Sequence, residues 1–426
     1  MSEFWKKTVF RMLQGISGGS LELITGAESH RFGDPHSDLS ATVVVHNERF
    51  FSRVLLNGED GAGDAWVDGD WSSPDPVAMI RLAIRNLKQL ESGSALLSWA
   101  SRLLKLWSHR RNHNSIDGSR RNIGAHYDLS NDFFRLFLDR NMVYSSAIFP
   151  TAETSLEDAQ IEKIDRLCRK LRFEPGDRVL EIGTGWGAFA LHAAREYGCH
   201  VTTTTISREQ HDYAQELFAA SGEPCRRITL LQQDYRKLNG TWNKLVSIEM
   251  FEAVGLEHYD DFFGACDRLL TPGGSLAIQT ITMNEHRFRQ YCRGSDWIQQ
   301  RIFPGSELAS VREILSSLVR STKLSLFDLE DIGMHYAFTL AEWRRRFNEH
   351  RAEVRKLGFD EPFIRMWDYY LAYCEGAFRE RQIGDVQLVL ARNNTLLPLL
   401  GEPWEIEKAE VGLSHASASL FNRVAD

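Results

Sequence analysis

Residues 178–198 read RVLEIGTGWGAFALHAAREYG, and this stretch decides the fold. A short apolar run, Val179, Leu180 and Ile182, leads into Gly183-Thr184-Gly185-Trp186-Gly187 and straight on into a helical pattern. Glycine there permits a tight turn and lets backbone N–H groups come close to a ligand. The helix N-terminus that follows favours a carboxylate or a phosphate. A glycine loop alone is a weak signal, equally suited to a plain βα turn, but its surroundings strengthen it. Working outward, apolar runs at 178–182, 200–205, 227–231, 244–248 and 275–281 alternate with helical patterns at 186–197, 208–221 and 256–270. That alternation predicts an α/β fold built on a doubly wound parallel sheet.

The spacing is GxGxG after the acidic Glu181, not the GxGxxG of dinucleotide enzymes. It resembles the cofactor loop of class I S-adenosylmethionine (SAM) methyltransferases. On that resemblance Gly183, Gly185 and Gly187 form the cofactor loop and SAM is the expected cofactor. The strand at 200–205 would deliver the edge that holds methionine and ribose, with Thr205 at its end and Gln210 one turn into the next helix. No Asp or Glu closes that strand, which argues against a nicotinamide cofactor. After the third strand, Asp234 and Tyr235 suit adenine, since a carboxylate can accept from the exocyclic amine and a ring can stack.

The chain has 426 residues, 43% of them hydrophobic and 25% charged, which is globular composition with material for two or three domains. Lys and Arg total 50 against 58 Asp and Glu, a net charge of −8, so no nucleic-acid partner is expected. The six cysteines form no CxxC pair and no zinc spacing, and read as free thiols in a reducing compartment. No secretory signal opens the chain and no run reaches the ~18–20 apolar residues of a membrane span. Residues 20–92 read as a small α+β unit: a hairpin around Gly26, a strand at 41–46, and an amphipathic helix at 75–90 with Asp75 as N-cap and Pro76 in its first turn. Residues 93–121 change character. From 102 to 121, six Arg or Lys residues stand against the one acidic residue Asp117, behind a Trp-bearing apolar stripe. This basic amphipathic linker suits anionic lipid headgroups, or else a packed helix followed by a solvated linker.

Further stretches carry a more specific resemblance. AHYDLSNDFFRLFLDRNMVYSSAIF (125–149), TISREQ (205–210), LQQDYRKL (231–238), SIEMFEAVG (247–255), SDWIQQRIFPG (295–305), HYAFTLAEWRRRF (335–347) and YYLAYCEGAFRERQIGDVQLVLAR (369–392) resemble the cyclopropane-fatty-acyl-phospholipid synthases, in that family's order. The resemblance covers 122–393 and, more loosely, the N-terminal unit. It implies a division into residues 1–92 (a small α+β domain for lipid docking or dimer contact), the linker 93–121, and a catalytic domain at 122–426 with lid and acyl-tunnel helices.

The resemblance also implies roles. Tyr144 and Ser145 contact SAM from a lid segment. Glu252 sits near the reacting methyl group and anchors an anion that Tyr336 also contacts, and Ile281 counts with them among the catalytic residues. The family holds bicarbonate there as the base. Two positions depart from its pattern: Ser146 stands where the family has Cys, and Gln279 where it has His. Both residue types keep hydrogen-bonding capacity, through a hydroxyl and an amide, so an anion is still expected to bind through Ser146, Gln279, Tyr336 and backbone.

The implied reaction is methyl transfer from SAM to the cis double bond of an unsaturated phospholipid acyl chain, through a carbocation, to a cyclopropane. Because the departures fall on the shell of the base, a methylene- or methyl-branched product is the alternative. A methyltransferase on a soluble acceptor and a silent SAM- or lipid-binding protein are the remaining readings. Tyr336, Phe149, Phe251 and Trp297 are candidates to face the cation, and the aromatic residues of 361–378 to line an acyl tunnel. The expected setting is cytoplasmic, peripheral to the inner face of the membrane, with an anionic lipid surface as partner and a possible homodimer.

Overall fold

The computed structural model describes residues 2–87, 89–90, 129–393 and 395; the basic 102–121 stretch lies outside the described residues. Seven strands form the larger sheet. They are β5 (Arg178–Ile182), β6 (His200–Thr205), β7 (Ile228–Gln232), β8 (Trp242–Ile248), β9 (Leu270–Met283), β10 (Leu324–Asp331) and β11 (Ile383–Arg392). Their order across the sheet is β10-β11-β9-β8-β5-β6-β7. The five strands from β9 to β7 are parallel, as the alternating pattern predicts. The chain reverses direction across the sheet between β5 and β8, and open α/β sheets bind ligands at such a point.

Strand residues alternate between two buried faces, hence the near-continuous apolar runs. Val179 and Val246 pack with Phe189 and Ala190 on one face, while Leu180 and Leu245 pack with Phe262 and Leu276 on the other. The antiparallel edge of β10 and β11 is absent from the sequence reading. In β11, Asp385 and Gln387 break the apolar run, yet both are fully buried and Gln387 pairs directly with Gln279 of β9. β9 is also longer than expected because β11 pairs along most of it.

The N-terminal residues form a four-stranded sheet of β1 (Ser20–Thr25), β2 (Glu28–Gly33), β3 (Ser40–Val45) and β4 (Trp71–Ser72), in the order β2-β1-β3-β4. β1 and β2 make the expected hairpin, and β3 runs parallel to β1. Asp75 caps the next helix by accepting from the Ala78 N–H, with Pro76 in the first turn. That helix, Pro76–Arg85, stops short of 90 because the Asn86 side chain turns to the Leu82 carbonyl and to both backbone groups of Ser17.

This unit is welded to the part built on the large sheet. One apolar core runs from Val9, Phe51 and Ile80 to Phe134, Trp343 and Trp367. Trp66 and Arg365 exchange side-chain–backbone hydrogen bonds, and Arg81 and Arg85 both pair with Glu380. Arg301 and the Trp297 indole both reach Asp64. Two approaches are tight: a Cβ at Gly63 would lie 2.6 Å from Trp297 Nε1, and one at Gly376 of the Glu361–Arg379 helix 2.6 Å from Ile80 Cγ2.

Gly376→Leu is therefore expected to force the two helices apart, at a cost of about 1–3 kcal/mol. Urea unfolding would show a lowered midpoint, partly restored by adding Ile80→Ala. An unchanged midpoint would show that the helices separate freely.

Candidate active site

Two cavities meet at the carboxyl edge of the large sheet. The smaller, about 190 Å³, is lined by the turns after β5, β6, β7 and β8 and by the 142–145 segment. The larger, about 940 Å³, runs between the N-terminal unit, the 287–308 segment and the Glu361–Arg379 helix. Tyr144, Glu249 and Ala253 line both.

The smaller cavity gathers the residues predicted for the cofactor except Gly187, which is not among its lining residues. Gly185 has φ +51° with open space where a Cβ would stand, so the loop presents bare backbone there. Gly187 has φ +97°, and a Cβ would strike the Phe218 ring at 2.8 Å. Trp186 ties the loop to the lid, its indole donating to Asn131 Oδ1 at 2.7 Å while its ring packs on Phe134. Thr205 donates to Gln210 Oε1 at 2.9 Å, and Ser207 caps the helix that carries Gln210. Ser145 accepts from Lys163 Nζ at 2.6 Å. This cleft of open glycine backbone, hydroxyls and an amide fits SAM.

The Asp234 carboxylate is already engaged, with Arg236 binding both its oxygens and the Arg236 N–H reaching Oδ1. The Tyr235 ring lines the cavity and stands edge-on to Phe262 at 5.4 Å. Any adenine contact by these two residues is made against those existing partners.

At the junction the structure centres on a residue the sequence reading passed over. Glu249 is the first residue after β8, with φ +47°, and its N–H is held by the Gln279 carbonyl at 2.8 Å. Its Oε1 accepts from Gln279 Nε2 and from the Ser146 N–H, both at 2.8 Å. Its Oε2 accepts from Tyr336 Oη at 2.7 Å. The expectation that the Ser146 hydroxyl would hold an anion is corrected: that hydroxyl donates to the Ala147 carbonyl, and the backbone N–H of Ser146 makes the contact. Gln387 donates to Gln279 Oε1 and so turns the Gln279 NH2 group toward Glu249.

Glu252 lines the larger cavity. Its Oε1 accepts from Thr280 Oγ1 at 2.9 Å and from the Ile281 N–H, while Oε2 is buried with no hydrogen-bond partner among the described residues. Burial first, and then the charge of Glu249, push its carboxyl up to about 8. Ile281 lines the same cavity. Of the four residues expected to face a cation, only Tyr336 is among those lining the cavity. Phe149 packs on Phe338, Phe251 sits among Tyr259, Phe262 and Phe263, and Trp297 turns to Asp64 and Tyr369.

Lys163 was also missed. It is fully buried, and burial lowers its ammonium to about 8 against the opposing pull of Glu249, Asp385, Asp139 and Glu181. Its signal in the sequence is a lone Lys on the apolar stripe Leu156, Ala159, Ile164, Leu167 of the Leu156–Lys170 helix. The signal for Glu249 is an acidic residue where β8 ends, at the sheet edge that carries sites.

These buried groups fix a pH dependence. Glu181 and Glu252 both titrate near 8 against an ordinary 4.5, each displaced chiefly by burial. The folded chain therefore binds those protons more tightly, and stability falls as pH rises from about 4.5 to 8, by up to about 1.4 kcal/mol per pH unit for each group. Above 8 the depressed Lys163 reverses the sign, because the unfolded chain then holds the extra proton. Glu252→Gln is expected to remove its share of the fall, read as a flatter urea-unfolding stability between pH 5.5 and 7.5. A slope equal to wild type would show that Glu252 is not a buried neutral acid.

With this geometry in hand, the comparisons with known proteins are specific. A family model described as mycolic acid cyclopropane synthetase matches residues 114–388. The tuberculostearic acid methyltransferase of Mycobacterium tuberculosis is 40% identical over 347 residues, spanning 80% of each chain. The cyclopropane-fatty-acyl-phospholipid synthase of Escherichia coli is 37% identical over 357 residues, 83% of this chain and 88% of that one. The crystal structure of mycolic acid cyclopropane synthase CmaA1 complexed with SAH and CTAB superposes with a TM-score of 0.59 at 31% identity, covering 64% of this chain and 97% of that one. The chain belongs to the mycolic acid cyclopropane synthetase family of SAM-dependent methyltransferases.

Proposed function

We propose that this chain transfers the methyl group of SAM to the cis double bond of an unsaturated acyl chain carried on a phospholipid, through a carbocation, and closes a cyclopropane ring. One observation carries the reading. A cleft at the sheet edge that carries the glycine loop, Thr205 and Gln210 adjoins a cavity about five times its size, and the two meet at Tyr144, Glu249 and Ala253. A reaction between a polar methyl donor and a long apolar acceptor needs that junction.

When bound, SAM supplies an electrophilic methyl group on a positively charged sulfur. An alkene is a poor nucleophile, so the residues of the chain act first by alignment, which can contribute roughly 7–11 kcal/mol. The Tyr144 hydroxyl bonds to the Tyr370 hydroxyl at 3.0 Å and fixes the lid over the junction. Tyr336 stacks on Phe378 at 4.5 Å and presents a π face to the larger cavity. Such a face stabilises a desolvated cation by about 0.5–2 kcal/mol. At the junction Tyr144 packs on Phe303 and Trp343, and Tyr370 on Trp367.

A phospholipid is favoured by Arg287 and Arg293, two cations among the lining residues of the larger cavity. Each methylene exposed to water on the way in would cost about 0.8 kcal/mol, so loading takes place with the protein docked on a bilayer. No described helix is long and apolar enough to cross a membrane, and the basic 102–121 stretch is our candidate for docking on an anionic surface at the inner face of the membrane.

A second reading keeps the same methyl transfer and ends in a methylene- or methyl-branched chain. It is favoured by the Glu249 shell, which differs from the family's Cys and His pattern at the position that removes the proton. The name of the tuberculostearic acid relative also points that way.

Two measurements test the proposal. After incubation with SAM and cis-monounsaturated phospholipid vesicles, mass spectrometry is expected to show an acyl chain heavier by one CH2 that resists hydrogenation. Uptake of hydrogen by that product would select the second reading, and no lipid product would overturn both. Replacing Arg287 and Arg293 by Ala is expected to raise KM for anionic phospholipid vesicles several-fold with kcat little changed; equal KM values would remove the headgroup from recognition.

A further inference from the structure

Resting on that reading, we infer that the Glu249 carboxylate is the base of the reaction, built into the chain at the place where the family resemblance puts a bicarbonate ion. Bicarbonate and a carboxylate share a planar O–C–O group and ask for the same donors. In this structure those donors are taken. Glu249 Oε1 holds the Ser146 N–H and Gln279 Nε2, and Oε2 holds the Tyr336 hydroxyl. These are three of the groups expected to hold the free anion. A second anion would find no donors there and would face the charge of Glu249. The residues of this chain do not fit bicarbonate.

Position and backbone agree. Glu249 lines both cavities, so it stands at the junction where a methyl donor in one would meet an acyl chain in the other. Its φ of +47° is one that L residues other than Asn and Asp seldom adopt. That turn, pinned by the Gln279 carbonyl, is what swings the side chain across the end of β8 to Tyr336. The other ionisable groups around it are Lys163, Glu252 and Asp385. Asp385 is pushed well above the ordinary carboxyl range, by burial first and then by the charges of Glu249 and Glu252. Glu252 is raised too, by burial first and then by the charge of Glu249.

The step balances as follows. Methyl transfer leaves a carbocation on the acyl chain, the S–C electron pair having gone to sulfur. A C–H bond beside the cation then breaks, and its proton passes to a Glu249 oxygen. The electron pair of that bond forms the third C–C bond of a cyclopropane if the hydrogen came from the new methyl group. If a 1,2-hydride shift first moves the cation to the methyl-bearing carbon, the same loss gives an exocyclic methylene, and loss from a neighbouring carbon of the chain leaves a methyl-branched alkene. The proton leaves for solvent when the product departs, and no added anion is consumed.

The test compares wild type, Glu249→Gln and Glu249→Gly in carbonate-stripped buffer, with and without added bicarbonate or acetate, on cis-monounsaturated phospholipid vesicles. Glycine suits the backbone of this position, and glutamine keeps its shape. Wild type is expected to be indifferent to bicarbonate. Both variants should lose turnover about a hundredfold or more, with calorimetric SAM binding within a few-fold of wild type. Added bicarbonate or acetate should restore the glycine variant and not the glutamine one, whose amide still fills the space.

In a lipid-free arm, the 13C signal of bicarbonate should broaden with Glu249→Gly and not with wild type. A wild-type rate that rises with bicarbonate, a glutamine variant that keeps its rate, or bicarbonate bound by wild type would each overturn the inference. If wild type makes no lipid product, the reading of acyl-chain methylation falls, and the lipid-free arm still decides whether Glu249 fills the anion site.

Discussion

The carboxylate of Glu249 takes hydrogen bonds from three segments that are remote in sequence: the lid at Ser146, strand β9 at Gln279, and the Gly333–Glu349 helix at Tyr336. A carboxylate removed from water without partners is so unfavourable that it gives up its charge instead. Hydrogen bonds to a charged group contribute about 1.5–3 kcal/mol each, so three of them offset a large part of that penalty. The lid, the sheet and the helix are thus drawn to one point by one buried anion. The lid in turn fixes Tyr144 over the cofactor cleft and sets Ser145 against Lys163. Disturbing any one donor should be felt by the other two, as in other fully satisfied buried networks.

The site also explains why the N-terminal unit is welded on rather than tethered. An acyl chain needs an apolar wall on every side. The large sheet supplies one end of that wall and the Glu361–Arg379 helix one side; the rest comes from Met12, Val54, Met79, Ile80 and Ile84. The tight approach at Gly376 and the paired Arg81 and Arg85 on Glu380 hold those residues in register with Tyr369, Tyr370 and Phe378. In a tethered unit the wall would open to water with each excursion.

The parallel core was legible because its physics is local. A buried strand reads as Val-Leu-x-Ile, a helix as an apolar stripe, and a positive-φ loop as glycine at 183, 185 and 187. The antiparallel edge was not, because Asp385 and Gln387 break the apolar run of β11, and their burial depends on Gln279 of a strand some hundred residues away. The same applies to the site. Thr205 and Gln210 lie within one strand–helix turn, and their pairing follows from it. Glu249 was in view, within SIEMFEAVG, and was passed over for Glu252 three residues on. Nothing in the sequence states that Glu249 takes a left-handed backbone, and it is that turn which carries its side chain to Tyr336 instead of leaving it on the sheet edge. Phe251 and Trp297 erred the other way: their residue type suited a cation, while their neighbours put them in the core.

Seen from Glu249, the two departures at 146 and 279 belong together. The contact from residue 146 is made by its backbone N–H, so the anion is indifferent to the loss of a thiol there. Glutamine at 279 is a neutral donor held in orientation by Gln387, and it completes the shell of a carboxylate without adding a second titrating group. Histidine there could instead take up a proton and form an ion pair with Glu249, which would weaken the carboxylate as an acceptor. The shell is therefore built of neutral donors around a single charge supplied by the chain. An anion that belongs to the chain cannot be lost with the product, and its distance from the reacting carbon is set by the end of β8. A fixed base reaches only those hydrogens the fold brings to it, so the product should follow from how Tyr336, Ile281 and the cavity wall orient the acyl chain past Glu249.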